Sequence, residues 1–203
     1  MTPRVPGTAG YVDEAAALFE RYESLAFAHV HRAVLHLLPS VPGRILDIGS
    51  GTGRDAAAFA ALGHRVVAVE PTGELRSRAM ALHPSPSIEW LDDSLPDLAV
   101  LRGREEGFDL VMLTAVWMHL TEGERRRAMP RASSLLAPAG VMIMSLRHGP
   151  VPTGRRMFEV TADETVRLAR DAGLRLEFEQ RTPSVQPQNA GVEWTRLAFC
   201  KPA

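Results

Sequence analysis

Three glycines at alternate positions, Gly49, Gly51 and Gly53, follow the apolar run Ile45-Leu46-Asp47-Ile48 and lead into Arg54-Asp55 and a helix-forming stretch. A strand that turns sharply through glycines into a helix leaves bare main chain against which a ligand can lie. Asp47 is the one acid in that strand. A carboxylate in apolar surroundings needs partners, which argues against a turn made for its own sake. Glu70 ends a second apolar run, Arg65–Glu70. A carboxylate there can accept hydrogen bonds from both hydroxyls of a ribose. These residues describe a site for a nucleoside-bearing ligand. The spacing G-x-G-x-G differs from the dinucleotide fingerprint G-x-G-x-x-G, because its third glycine comes one position early.

Acid–base chemistry has two candidates, His119 in Thr114-Ala115-Val116-Trp117-Met118-His119-Leu120 and His148 in Ser145-Leu146-Arg147-His148-Gly149-Pro150. His119 is placed either to take a proton or to pack, hydrogen-bonded, at the start of a helix. His148, with Arg147, Arg155 and Arg156, makes either an anion-binding rim, since arginine forks suit carboxylate and phosphate, or a solvated loop. His29, His31 and His36 do not make a metal site, because residues two apart on a helix face different sides. Arg125, Arg126, Arg127 and Arg131 are expected on a solvated helix face.

The elements that must hold these groups alternate along the chain. Strands are predicted at Ile45–Ile48, Arg65–Glu70, Ile88–Leu91, Phe108–Leu113 and Val141–Leu146, with helices between them. Asp55 to Leu62 is a helix stopped by Gly63. Thr72 opens a helix to about Leu82, and a short helix is expected near Pro96 to Leu101. Thr121-Glu122-Gly123-Glu124 and Thr161-Ala162-Asp163-Glu164 are capping-box sequences. Pro130 should kink or break the helix that the first of them opens. Leu174–Glu179 and Val192–Phe199 alternate apolar with polar and suit antiparallel strands joined by the loop Arg181 to Gly191. Val12 to Leu38 reads as helix in two pieces, the second capped by Ser24. In open α/β sheets ligands bind beyond the carboxyl ends of the strands, and every candidate site residue falls at such an end.

Asp47 two residues before G-x-G-x-G resembles motif I of the class I S-adenosylmethionine-dependent methyltransferases. The terminal hairpin after five β-α units is similar to that family's fold. The resemblance covers about Val41 to Pro202. It implies an α/β, Rossmann-like architecture: a seven-stranded, mostly parallel sheet with helices on both faces and the last strand antiparallel. Residues 41–203 would form the methyltransferase domain, and residues 1–40 a tail and lid helices. S-adenosyl-L-methionine would be the cofactor and S-adenosyl-L-homocysteine the product. The turn at Asp47, Gly49 and Ser50 would cradle the methionine part, and Gly51 and Gly53 would leave room for the sugar. Arg54 would either reach the methionine carboxylate or stand solvated at the helix start. Glu70 would take the ribose hydroxyls, and Pro71 would lie against the adenine. Among Asp92, Asp93 and Ser94, an acid would take the adenine amino group, Asp92 first. Thr114 would line the methyl-donor end, and Trp117, Met118 and His119 would face the substrate or cap the sulfonium, as in small-molecule methyltransferases and cyclopropane fatty acid synthases. Tyr22 would either close over the cofactor or pack within its helix. Arg147 would belong to the substrate rim.

Composition narrows the partners. The chain has 203 residues and a formal net charge of -1, so no overall basic field gathers nucleic acid or anionic lipid. The Asn/Asp-Pro-Pro-aromatic signature of the amino-methylating nucleic-acid enzymes is absent. No apolar run approaches about 18 residues, and the proline- and glycine-rich N-terminus lacks the core of a signal peptide. With Cys200 the single cysteine, a reducing, cytoplasmic compartment is expected, with no metal and a monomer or homodimer. Methyl transfer to a small-molecule acceptor is the leading expectation. A non-catalytic S-adenosylmethionine-binding protein, a protein or nucleic-acid methyltransferase and a nicotinamide oxidoreductase are its alternatives.

Overall fold

A computed structural model describes residues 8, 15–104, 107–186 and 191–203. The first residues of the segment Val12 to Leu38 and part of the loop Arg181 to Gly191 lie outside the described residues. The strands are β1 Arg44–Ile48, β2 Arg65–Val69, β3 Ile88–Leu91, β4 Phe108–Leu113, β5 Leu136–His148, β6 Arg175–Pro183 and β7 Glu193–Cys200. They form one seven-stranded sheet in the order β3-β2-β1-β4-β5-β7-β6. β1 to β5 are parallel, and β7 runs antiparallel between β5 and β6. The fold is the Rossmann-like arrangement expected from the sequence. Its strand order reverses between β1 and β4, which is where such sheets open a crevice for ligands.

The helices are α1 Ala15–Glu23, α2 Phe27–Val30, α3 Arg54–Ala61, α4 Gly73–Leu82, α5 Glu122–Ser134 and α6 Ala162–Asp171. Strand residues alternate between two cores, as a period of two requires. One face packs Ile45, Leu110, Met112 and Ile143 with Phe59 of α3 and Val34. The other packs Leu46, Ile48, Leu113 and Leu146 with Trp117, Ala128 and Met129. Among the described residues, no helix is long and apolar enough to cross a membrane.

Five local features differ from the sequence reading. The second N-terminal helix does not run to Leu38: α2 ends after four residues, and a separate 3-10 turn follows at Leu35–Leu37. Ser24 donates its hydroxyl to Arg21 O and does not cap α2. Helix α5 passes through Pro130 unbroken. Pro130 is exposed, so the hydrogen bond its nitrogen cannot make is lost on the water side, where the freed carbonyl can be hydrated. Arg125 is not on a solvated face. It is 3% exposed and sits on the stripe Arg125, Ala128, Met129, Ala132 that faces inward. Its Nε and Nη2 grip both oxygens of Glu164 at 2.9 and 2.8 Å, and Nη1 donates to Leu120 O. The second capping box is therefore half of one: Thr161 accepts from Glu164 N–H, while the Glu164 carboxylate ties α6 to α5.

Gly53 has a packing role. Its φ is +82°, and a Cβ there would lie 2.5 Å from Trp90 Cη2 and 3.2 Å from Ala79 Cβ. Gly53→Ala is expected to lower stability by about 1–3 kcal/mol, from the left-handed backbone alone, with more from Trp90 moving aside. Denaturant unfolding checks this, and an unchanged midpoint would show that the turn tolerates a side chain.

Candidate functional site

At the carboxyl ends of β1, β2, β4 and β5 lies a cavity of about 320 Å³, within the range of small-molecule sites. Strand β1 delivers Asp47 to its floor because the strand is buried throughout and its last turn opens into the glycine loop. Asp47 is 1% exposed, and among the described residues its Oδ2 has no hydrogen-bond partner. Burial, first of all, pushes its carboxyl well above the usual carboxylate range. The negative charges of Asp55 and Glu70 add to this, and Arg54 opposes it. The Ser50 hydroxyl, in the same turn, is also buried without a partner. Two orphaned polar atoms thus face one cavity, and a cation arriving beside Asp47 would favour its ionised form.

Glu70 follows β2, the neighbouring strand, beside the glycine loop. It is 6% exposed. Its Oε2 accepts from Gly51 N–H at 2.9 Å and its Oε1 from Thr72 N–H at 2.8 Å. Burial raises its pKa, and these backbone donors and Arg76 pull it back. The Thr72 side chain also donates to this carboxylate, which retains accepting capacity for a ligand. Gly51, at φ +57°, has nothing closer than 4.0 Å to where a Cβ would stand, so the loop leaves open space beside Glu70. Pro71, Thr72, Asp93, Ser94 and Thr114 complete this half of the lining.

Asp55, at the start of α3, also lines the cavity. It is the centre of a buried cluster that sequence reasoning missed. His31 Nε2 lies 2.8 Å from its Oδ2, Arg54 Nε and Nη2 lie 2.8 and 2.7 Å from Oδ1, and Thr114 Oγ1 donates to Oδ2 at 3.2 Å. Burial acts to raise its pKa, but His31 and Arg54 outweigh burial and hold the carboxyl far below the usual range. Arg54 also donates to Tyr22 O at 3.3 Å. It is thus engaged between α1 and Asp55, and it is not a solvated helix-start residue. An acid in the first helical turn is common enough that nothing in the sequence marked Asp55 out.

The remaining candidates divide. Tyr22, Met118, His119 and Arg147 line the cavity, with Leu25 and Val30 from the N-terminal helices. His119 Nδ1 is 2.8 Å from Arg156 O. That bond places the ring proton on Nδ1, facing the carbonyl, and the lone pair on Nε2. Burial pushes the His119 pKa down, and the guanidinium groups of Arg155, Arg156 and Arg147 add to it. Gly53 is turned to Trp90 and is not part of the lining. Asp92 is half exposed and paired with Arg76 Nη2 at 3.0 Å, outside the lining. Its neighbour Asp93 lines the cavity but gives its carboxylate to the N–H groups of Ser94, Ala99 and Val100. Trp117 is fully buried in the core, because the 3-10 turn Trp117–His119 points it inward while Met118 and His119 reach the cavity. His148 bonds Thr195 Oγ1 at 2.8 Å. It follows Arg147 on β5 and so faces the other side of the sheet.

With this geometry established, residues 45–140 match the family model described as a methyltransferase domain. The relatives and solved structures that resemble this chain are methyltransferases as well. An uncharacterised methyltransferase of Oceanobacillus iheyensis is 24% identical over 167 residues, which is 81% of this chain and 71% of that protein. An uncharacterised methyltransferase of Mycobacterium tuberculosis is 28% identical over 184 residues, 86% of this chain and 67% of its own length. The crystal structure of the Burkholderia thailandensis 1,6-didemethyltoxoflavin-N1-methyltransferase, with bound 1,6-didemethyltoxoflavin and S-adenosylhomocysteine, superposes with a TM-score of 0.70 at 23% identity, covering 100% of this chain and 93% of that one. Its likeness to this methyltransferase domain is one of fold.

Proposed function

We propose that the cavity binds S-adenosylmethionine and that the domain transfers its methyl group to a small-molecule acceptor. The observation that carries this reading is Asp47: a fully buried carboxylate with an orphaned oxygen, at the floor of a glycine loop, in a methyltransferase domain. The residues fit the cofactor. Asp47 and the Ser50 hydroxyl would hold the ammonium of the methionine part. Glu70 would accept both ribose hydroxyls while Gly51 and Thr72 fix its plane. Pro71, Ser94 and Leu95 would flank the base, and Thr114, Met118 and Tyr22 the sulfur end.

When bound, S-adenosylmethionine supplies a methyl group already activated by positive sulfur. The chain's task is then alignment, which can be worth roughly 7 to 11 kcal/mol. His119 would remove a proton from an alcohol or phenol acceptor. Burial and the neighbouring guanidinium groups depress its pKa and so favour the neutral imidazole that such a base needs.

The test is calorimetry with S-adenosylhomocysteine across pH. The ligand's ammonium pairs with ionised Asp47, and in the free protein that carboxyl holds its proton to higher pH than usual. Affinity should therefore fall as pH is lowered, beginning above the ordinary aspartate value of about 3.9. Asp47→Asn should bind weakly and lose this dependence. A flat profile down to the ordinary carboxylate range, or no heat at all with folded protein, would remove the reading.

A further inference from the structure

Apart from Arg21 and Arg54, the charged side chains of the described lining are sorted by sign. All four acids that line it, Asp47, Asp55, Glu70 and Asp93, stand below β1 to β3 or at the start of α3, and Arg54 among them is paired with Asp55. The β5–β7 side presents Arg147 and Arg155 near His119, and Arg196 beside Ser145. The β5–β7 register sets Ser145 opposite Arg196 and Arg147 opposite Trp194. By strand alternation these four share one face, and all four line the cavity. Arg196 is the least expected of them. It is 9% exposed. Its hydrogen bonds go to two neutral oxygens, Thr182 Oγ1 at 2.9 Å and Val30 O at 3.0 Å. No carboxylate pairs with it among the described residues. Burial and the positive charge of Arg32 both disfavour its ionised form. A buried guanidinium held by neutral oxygens alone is a charge awaiting its complement.

We propose that the methyl acceptor is a small molecule bearing an oxyanion, a carboxylate or phosphate, which docks on Arg196 with Arg147 and Arg155 beside it. This rests on reading the other end of the cavity as the S-adenosylmethionine site. The oxyanion is the handle and not the methylated atom. It fixes the acceptor at the β5–β7 end, so that a nucleophile elsewhere on the molecule faces the methyl near His119. The small cavity, shared with a nucleoside, leaves room for an acceptor of modest size.

The test uses the full chain saturated with S-adenosylhomocysteine, titrated with benzoate, inorganic phosphate and benzamide. Benzoate or phosphate should bind, and the one that does identifies the oxyanion. Benzamide, the neutral isostere of benzoate, should bind at least about tenfold more weakly than the binding anion, the effect of one charge-assisted hydrogen bond. Arg196→Gln should weaken the anion by about tenfold or more while changing S-adenosylhomocysteine affinity less than about threefold. Because Arg196 also holds Val30, Arg155→Gln is the second variant. It leaves that contact intact and should weaken the anion in the same direction. Benzamide matching the anions, no anion binding to wild type, or unchanged anion affinity in both variants would each overturn the proposal. Failure of S-adenosylhomocysteine itself to bind would strike the cofactor reading instead, and repeating the anion titrations without nucleoside keeps the two separable.

Discussion

Replacing Glu70 with alanine should weaken S-adenosylhomocysteine about 10²- to 10⁴-fold. Two hydrogen bonds from ribose hydroxyls to a carboxylate, at about 1.5–3 kcal/mol each, make that range. The carboxylate has a second duty, since the N–H groups of Gly51 and Thr72 end on it. The alanine variant therefore also loses fold stability, because buried donors left unpaired cost about 1–3 kcal/mol each. Glu70→Gln separates the two effects. Its amide oxygen can still accept from one backbone donor, so stability should recover in part while affinity stays low for want of charge. Calorimetry and denaturant unfolding on the same samples give both numbers. A folded Glu70→Ala protein that binds S-adenosylhomocysteine as wild type does would show that the ribose lies elsewhere.

The second large effect is on stability. Glu164→Ala should destabilise the protein by about 3–5 kcal/mol, because it strands the guanidinium of Arg125 in the interface between α5 and α6. The double variant Arg125→Leu, Glu164→Ala should regain most of the loss, since it removes the buried charge together with its partner. Unfolding midpoints of the wild type, both single variants and the double variant measure the coupling. Additive losses would mean that the pair contributes nothing beyond its separate side chains.

These two cases show what the amino-acid sequence made legible and what it did not. Asp47 and Glu70 could be read because an acid in an apolar, β-branched run is chemically out of place, and because strand ends in α/β sheets gather in space. The parallel core was legible for the same reason: five apolar runs separated by helical spacing admit few arrangements. Arg125 was hidden by its neighbours. It lies in a run of three arginines and looked solvated with them, yet the period of 3.6 puts it in line with Ala128, Met129 and Ala132. His148 was misjudged by one residue of strand alternation, since its neighbour Arg147 reaches the cavity and it does not. Arg196 had a faint signal, a lone cation in the apolar strand Thr195-Arg196-Leu197-Ala198-Phe199. The partners of Asp55 and Asp92 could not be read at all. His31 lies 24 residues from Asp55 and Arg76 lies 16 from Asp92, and only the folded chain joins them. The N-terminal helices were misread because docking decides their ends: Phe27 packs edge-on to Phe59, with ring centroids 5.1 Å apart, and the chain then breaks from α2 to bring His31 to Asp55.

Asp47 and Asp55 stand eight positions apart, repel each other, and have been driven to opposite extremes. Asp55, clamped by His31 and Arg54, stays anionic in all but strong acid. Its contribution to folding is in place above the usual carboxylate range and fades only as protons are forced onto it. Asp47 carries the reverse bias and gains from any arriving positive charge. One acid is thereby committed to architecture and its neighbour left responsive, so the cofactor binding proposed above would follow proton activity while the scaffold beneath it stays indifferent.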